Sequence, residues 1–222
     1  AFNPWFLDQN DLVRDGFLPN TLKNSSSDND SFDNRVDFQL ANSKVQSLRL
    51  SLVDYWEKQN KTIQEEFEIW SSRQFWLDDH SIFMELKIQN NNRPWWEWPY
   101  KYAFRDKKEL ENWKKNNQKE LLGHNLLQWH LDRQWKSVRK LAKSLGVFLF
   151  GDVPFYVSKD SADVWSNRSL FSILTNSDTF LQSGVPPDYF SETGQLWGNP
   201  VYRWSRHKAS KYIWWRKRIS RH

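Results

Sequence analysis

"VFLFGDVPFYV", residues 147–157, is the stretch whose reading decides the fold. Its first four residues are a continuous apolar run, too short for a helix and set between Gly146 and Gly151. Such a run reads as a strand buried on both faces, as in a parallel sheet. The residues before it, from Lys107 to Gly146, carry helical periodicity. Their clearest stripe is Leu127, Leu131, Trp135, Val138, Ala142 and Leu145, closed by Gly146 at the usual position just past a helix end. A long helix leading straight into a buried strand is half of a βαβ unit, which places the chain in the α/β class. Asp152 then falls just beyond the strand's C-terminal end, where open α/β sheets and eight-fold barrels bind ligands. A carboxylate there is either a ligand contact or a cap for the next turn, and position alone weighs the two equally.

Downstream lies "GVPPDYFSETGQLWGNPVYRW", residues 184–204. Proline removes backbone donors and glycine permits sharp turns, so this is neither a regular helix nor a central strand. Yet it holds five aromatic rings, Tyr189, Phe190, Trp197, Tyr202 and Trp204, interleaved with Asp188, Ser191, Glu192 and Asn199. Ring faces stack on the apolar faces of sugars, and the polar neighbours suit hydroxyls. The competing reading is a compact loop with its own small core. Beyond it, "RHKASKYIWWRKRISRH" (206–222) places Tyr212, Trp215 and Ile219 at helical spacing. That is an amphipathic helix with a solvated basic face rather than a nucleic-acid site.

Upstream, "LDQNDLVRDGFLP" (7–19) reads as a short helix stopped by Gly16 and Pro19, and "KNSSSDNDS" (23–31) as a polar loop. Helical spacing from Lys44 to Asn90 predicts two or three helices, and "NNNRPWWEWP" (90–99) is a break. The 222 residues include 15 Trp and no Cys, which implies a real core and rules out disulfides and thiolate metal sites. No apolar run approaches the roughly 20 residues of a membrane helix. The formal charge of +5 is spread among 27 acidic residues, with no motif for nucleic acid.

"GDVPFYVSKDSADVW" followed by "GVPPDYFSETGQLWGNPVYRW" resembles the 4-alpha-glucanotransferase family. "AFNPWFLDQNDLVRDGFLP", "SIFMELK" and "NRPWWEWP" extend the likeness along nearly the whole chain. The resemblance implies a (β/α)8 TIM barrel with inserted helical subdomains, present here in part and mostly helical. Residues 20–145 would be largely the helical insertion, and 146–222 the third barrel strand, an active-site loop and the following helix. It implies transfer of α-1,4-glucan segments between maltooligosaccharides with retention, in cytoplasm or plastid, with no cofactor, metal, nucleic acid or membrane. Carried over residue by residue, the substrate-binding set is Asp152, Tyr156, Asp188, Tyr189, Phe190, Ser191, Trp197 and Asn199. Asp160, Asp163 and Trp165 take structural roles. The family's nucleophile and acid/base motifs have no match among these residues and are expected beyond His222. The chain therefore reads as a fragment with no catalytic pair. A non-catalytic glucan-binding module is the alternative.

Overall fold

The computed structural model describes residues 1–22, 35–174, 178 and 181–221. In chain order its helices are α1 (Gln9–Arg14), α2 (Phe38–Trp56), α3 (Lys61–Ser72), α4 (Leu77–Gln89), α5 (Tyr100–Ala103), α6 (Lys107–Asn116), α7 (Gln118–Ser144), α8 (Ala162–Ser166), α9 (Trp204–Ala209) and α10 (Ile213–Ile219). Strands β1 (Gln182–Val185) and β2 (Gln195–Pro200) form a two-stranded sheet. Three helices between Phe38 and Gln89 match the spacing argument. The polar loop at 23–31 and the terminal His222 lie outside the described residues. No helix among the described residues is long and apolar enough to cross a membrane. The chain divides into two compact units, residues 1–81 with 114–149, and residues 82–113 with 150–222.

The first unit is helical because its helix starts are written into the sequence. Asp8 accepts from Asn10 N–H at 2.8 Å, Asp37 from Leu40 N–H at 2.9 Å and Asn60 from Ile63 N–H at 2.9 Å, each satisfying a first-turn donor. The apolar faces these helices present meet in one core. Leu48 and Leu52 of α2, Phe67 of α3, and Leu126, Leu127, Trp129 and Leu131 of α7 pack with Leu12, Val13, Phe17 and Leu18. Trp129 sits edge-on to Trp56 at 5.9 Å and to Phe67 at 5.4 Å, the aromatic geometry that ring quadrupoles favour.

His130 is buried among these groups, 4.6 Å from the Phe17 ring, with Arg133 Nη1 3.4 Å from its Nδ1. Burial, aided by the Arg133 guanidinium, pushes its imidazole from 6.5 down to about 3. The unfolded chain therefore takes up a proton below pH 6.5 that the folded chain refuses, and stability falls as pH drops from 6.5 towards 3. By pH 5 the loss from this group is about 2 kcal/mol. Urea midpoints measured across that window should fall in the parent chain and stay flatter in His130→Gln. Equal slopes would show that His130 is not the titrating group.

Two expectations for the helix–strand unit are corrected. Of the stripe on α7, only Leu127 and Leu131 are buried; Trp135, Val138 and Leu145 are exposed. Gly146 does take the left-handed conformation, φ +69°, just past the helix. The run 147–150 that follows is not a buried strand: Phe148 is 97% and Phe150 102% exposed, and no ladder includes them. A doubly buried parallel strand needs a paired neighbour on each side and a covering layer on each face. Among the described residues no strand pairs with 147–150. The basic C-terminal stretch differs too. It is two short helices, because Lys211 and Tyr212 adopt φ of 52° and 55° and reset the helical phase. Trp214 is therefore the buried ring, while Tyr212 and Ile219 are exposed.

Candidate functional site

The second unit contains every residue that the sequence marked for ligand contact. Its centre is α8 and the turn before it. Ser161 caps α8 by accepting from Val164 N–H at 3.3 Å. Trp165 is wholly buried, donates from Nε1 to Tyr102 O at 2.9 Å, and lies 4.1 Å from the Arg105 guanidinium. Asp160 pairs with Lys87 and accepts from Trp95 N–H at 3.4 Å. Asp163 accepts from Trp214 Nε1 at 3.3 Å. Asp160, Asp163 and Trp165 of "KDSADVW" thus tie α8 to the rest of the unit.

The stretch 184–204 is a hairpin root and tip. β1 and β2 pair antiparallel, Gly184 opposite Leu196 and Val185 opposite Gln195, with a bulge between Gln182 and Gly184. Both are edge strands, which is how Pro200 is accommodated. Gly194 closes the return at φ +74°, and a Cβ there would lie 2.6 Å from Val185 O, so glycine is required on both counts.

The tip between them is built by two residues expected to touch substrate. Asp188 Oδ1 accepts from Phe190 N–H and Ser191 N–H, both at 2.9 Å. Ser191 Oγ donates to Gly194 O at 2.7 Å. These bonds fix a turn whose product is the exposure of the residues it carries: Tyr189 is 97% and Phe190 88% exposed, with rings edge-on at 5.6 Å. They are not the core of a compact loop.

Trp197, on β2, is 43% exposed and donates from Nε1 to Gln195 Oε1 at 3.1 Å. Its ring meets the Tyr156 ring edge-on at 5.8 Å. The hairpin's C-terminal arm and the segment after 147–150 are therefore brought together. Asp152 is exposed, and Asn199 is partly buried on β2. The remaining two rings of the stretch divide: Trp204 is exposed, and Tyr202 is buried, its hydroxyl donating to Phe155 O. Burial pushes that hydroxyl up to about 12, so it stays a donor. Sequence reasoning counted Tyr202 among the rings of the stretch but did not find its buried bond. Its partner lies 47 positions away, and no local pattern announces such a bond. The expectation that the nucleophile and acid/base lie beyond His222 concerns positions outside the described residues.

The family model for 4-alpha-glucanotransferases matches residues 1–222. The fold is shared with an amylomaltase from Streptococcus agalactiae solved in complex with acarbose, at a TM-score of 0.87 and 29% identity over 99% of this chain and 44% of that one. The architecture thus places the chain in the amylomaltase class of folds. Among the relatives, the 4-alpha-glucanotransferase of Synechocystis sp. is 38% identical over 99% of this chain and 44% of its own length. That of Thermus thermophilus is 33% identical over 100% and 43%. A chloroplastic/amyloplastic enzyme of Arabidopsis thaliana is 35% identical over 99% and 38%. The chain belongs to the 4-alpha-glucanotransferase family, and it spans less than half the length of these relatives.

Proposed function

We propose that this chain supplies a glucan-contacting wall of a 4-alpha-glucanotransferase, an enzyme moving α-1,4-glucan segments between maltooligosaccharides with retention. The observation that carries the reading is the hairpin tip. Asp188 and Ser191 hold a turn whose effect is to expose Tyr189 and Phe190. Solvent-exposed rings on a fixed support are stacking surfaces for sugar faces, and they gain nothing for the fold by being there. Trp197 and Tyr156 extend the aromatic surface, with Asp152 and Asn199 as hydroxyl partners.

In this reading 147–157 carries Asp152 and Tyr156 to the glucan as an irregular segment rather than as a paired strand. Retaining transfer needs a nucleophilic carboxylate and an acid/base carboxyl about 5–5.5 Å apart. No residue of this chain is assigned to either role. The hairpin's part is to bind the glucan and to close over it. Closure excludes the water that would otherwise intercept a covalent glycosyl intermediate. The setting is cytoplasm or plastid.

Electrophoresis of the chain through gels containing soluble amylose tests the reading. Retardation that maltoheptaose relieves and that salt does not change is expected, since stacking and neutral hydrogen bonds involve no counterion release. Incubation with maltotriose should yield no longer or shorter maltodextrins. Migration unaffected by amylose would refute the glucan wall, and robust transfer would show that the catalytic pair lies within these residues.

A further inference from the structure

Residues 147–157 form neither helix nor ladder, so secondary structure fixes none of their carbonyls. Two of those carbonyls are nevertheless held. Pro154 O accepts from Arg218 Nη2 at 2.6 Å, and Phe155 O accepts from the Tyr202 hydroxyl. We propose that Tyr202 and Arg218 are positioning residues that lock the segment carrying Asp152 and Tyr156 to the root of the hairpin. The proposal rests on the glucan reading for its consequence, though not for the contact itself.

Both donors are themselves held in orientation. The Tyr202 ring is caged by Phe171 at 5.3 Å, Trp204 at 5.3 Å, His207 at 5.4 Å and Trp215 at 5.0 Å. Arg218 lies with Nη1 3.8 Å from Asp163 Oδ2 and its guanidinium 5.2 Å from the Trp214 ring. The cage is stitched to the hairpin root by the backbone: Phe171 bridges Tyr202, Ser172 N–H donates to Val201 O at 2.7 Å, and Arg203 N–H to Leu170 O at 2.8 Å.

The consequence is geometric. Phe155 and Tyr156 are consecutive, and each is tied to the same arm of the hairpin, one through its carbonyl to Tyr202 and one through its ring to Trp197. The segment and the arm therefore move as one piece, and the two aromatic surfaces keep a fixed spacing. Since a hydroxyl pushed up to about 12 does not ionise near neutrality, the tie is insensitive to pH there.

Tyr202→Phe keeps the caged ring and deletes only the donor; Arg218→Lys keeps the charge and loses the fork. In the full 222-residue chain, chymotryptic cleavage after Phe155 and Tyr156 should quicken about five- to tenfold relative to cleavage after Phe6 in either variant, as expected for a lost hydrogen bond that held the segment closed. Maltotetraose should bind about three- to tenfold more weakly by calorimetry. A lower Tm with unchanged relative cleavage would overturn the tie and leave Tyr202 a packing residue. Quickened cleavage with unchanged affinity would overturn the positioning role. If the parent chain takes up no maltotetraose, the glucan reading and the positioning role fall together, while the cleavage ratio still decides whether the tie exists.

Discussion

Trp165→Ala is expected to destabilise the second unit by about 3–5 kcal/mol, the cost of a large cavity where an indole was fully enclosed. Trp165 packs against Phe83 at 5.9 Å and Trp98 at 6.0 Å, carries the Arg105 guanidinium on its face, and satisfies Tyr102 O. Small domains are stable by about 5–15 kcal/mol in all, so the variant should lose a large share of its stability. Trp165→Phe should sit between, because it fills most of the space but loses the indole donor to Tyr102 O, which keeps only the Arg105 N–H at 3.2 Å. Urea titrations of both variants followed by circular dichroism measure this. A loss below about 1 kcal/mol for Trp165→Ala would mean that the indole is not the keystone of the unit.

The reverse pattern is expected of Tyr189→Ala with Phe190→Ala. Both rings are solvent-exposed, and the turn that carries them is held by Asp188 and Ser191 rather than by ring packing. Surface changes of this kind shift stability by no more than about 0.5 kcal/mol. Affinity for maltoheptaose, however, should fall at least about tenfold, the order expected when two stacking rings are removed. Calorimetric binding and thermal unfolding of the same preparation separate the two effects. A double variant that unfolds would return the rings to the core, and one that binds as before would remove them from the site.

The fate of these rings shows what the sequence carried and what it did not. Local signals were legible. Asp8, Asp37 and Asn60 start helices where short-range chemistry says they should, Gly146 ends one, and the proline–glycine punctuation of 184–204 excluded a regular helix or a central strand. The hairpin itself was not legible, because β1 and β2 are edge strands with neither a clean alternation nor a two-residue turn between them. Run 147–150 was misplaced for a different reason. Apolar content says what a segment would bury, whereas a ladder also needs partners, and none pairs with it among the described residues. The phase of the C-terminal stripe was lost to two positive φ values, which no composition announces. At the site, residue types were readable but their division of labour was not. Asp188 and Ser191 look like hydroxyl binders in the sequence, and in three dimensions they build the turn that displays their neighbours.

The central claim is that α-1,4-glucan lies across the hairpin tip and the segment behind it. Hydroxyl-radical footprinting of the intact chain, with and without maltoheptaose, tests it most directly, because the radicals oxidise exposed rings and a bound sugar shields them. Phe6 and Tyr100, both exposed and outside the proposed surface, serve as internal references. Oxidation of Tyr189, Phe190 and Trp197 should slow when maltoheptaose is added, while Phe6 and Tyr100 keep their rates. Unchanged rates at all three hairpin rings, or protection confined to the references, would contradict the account.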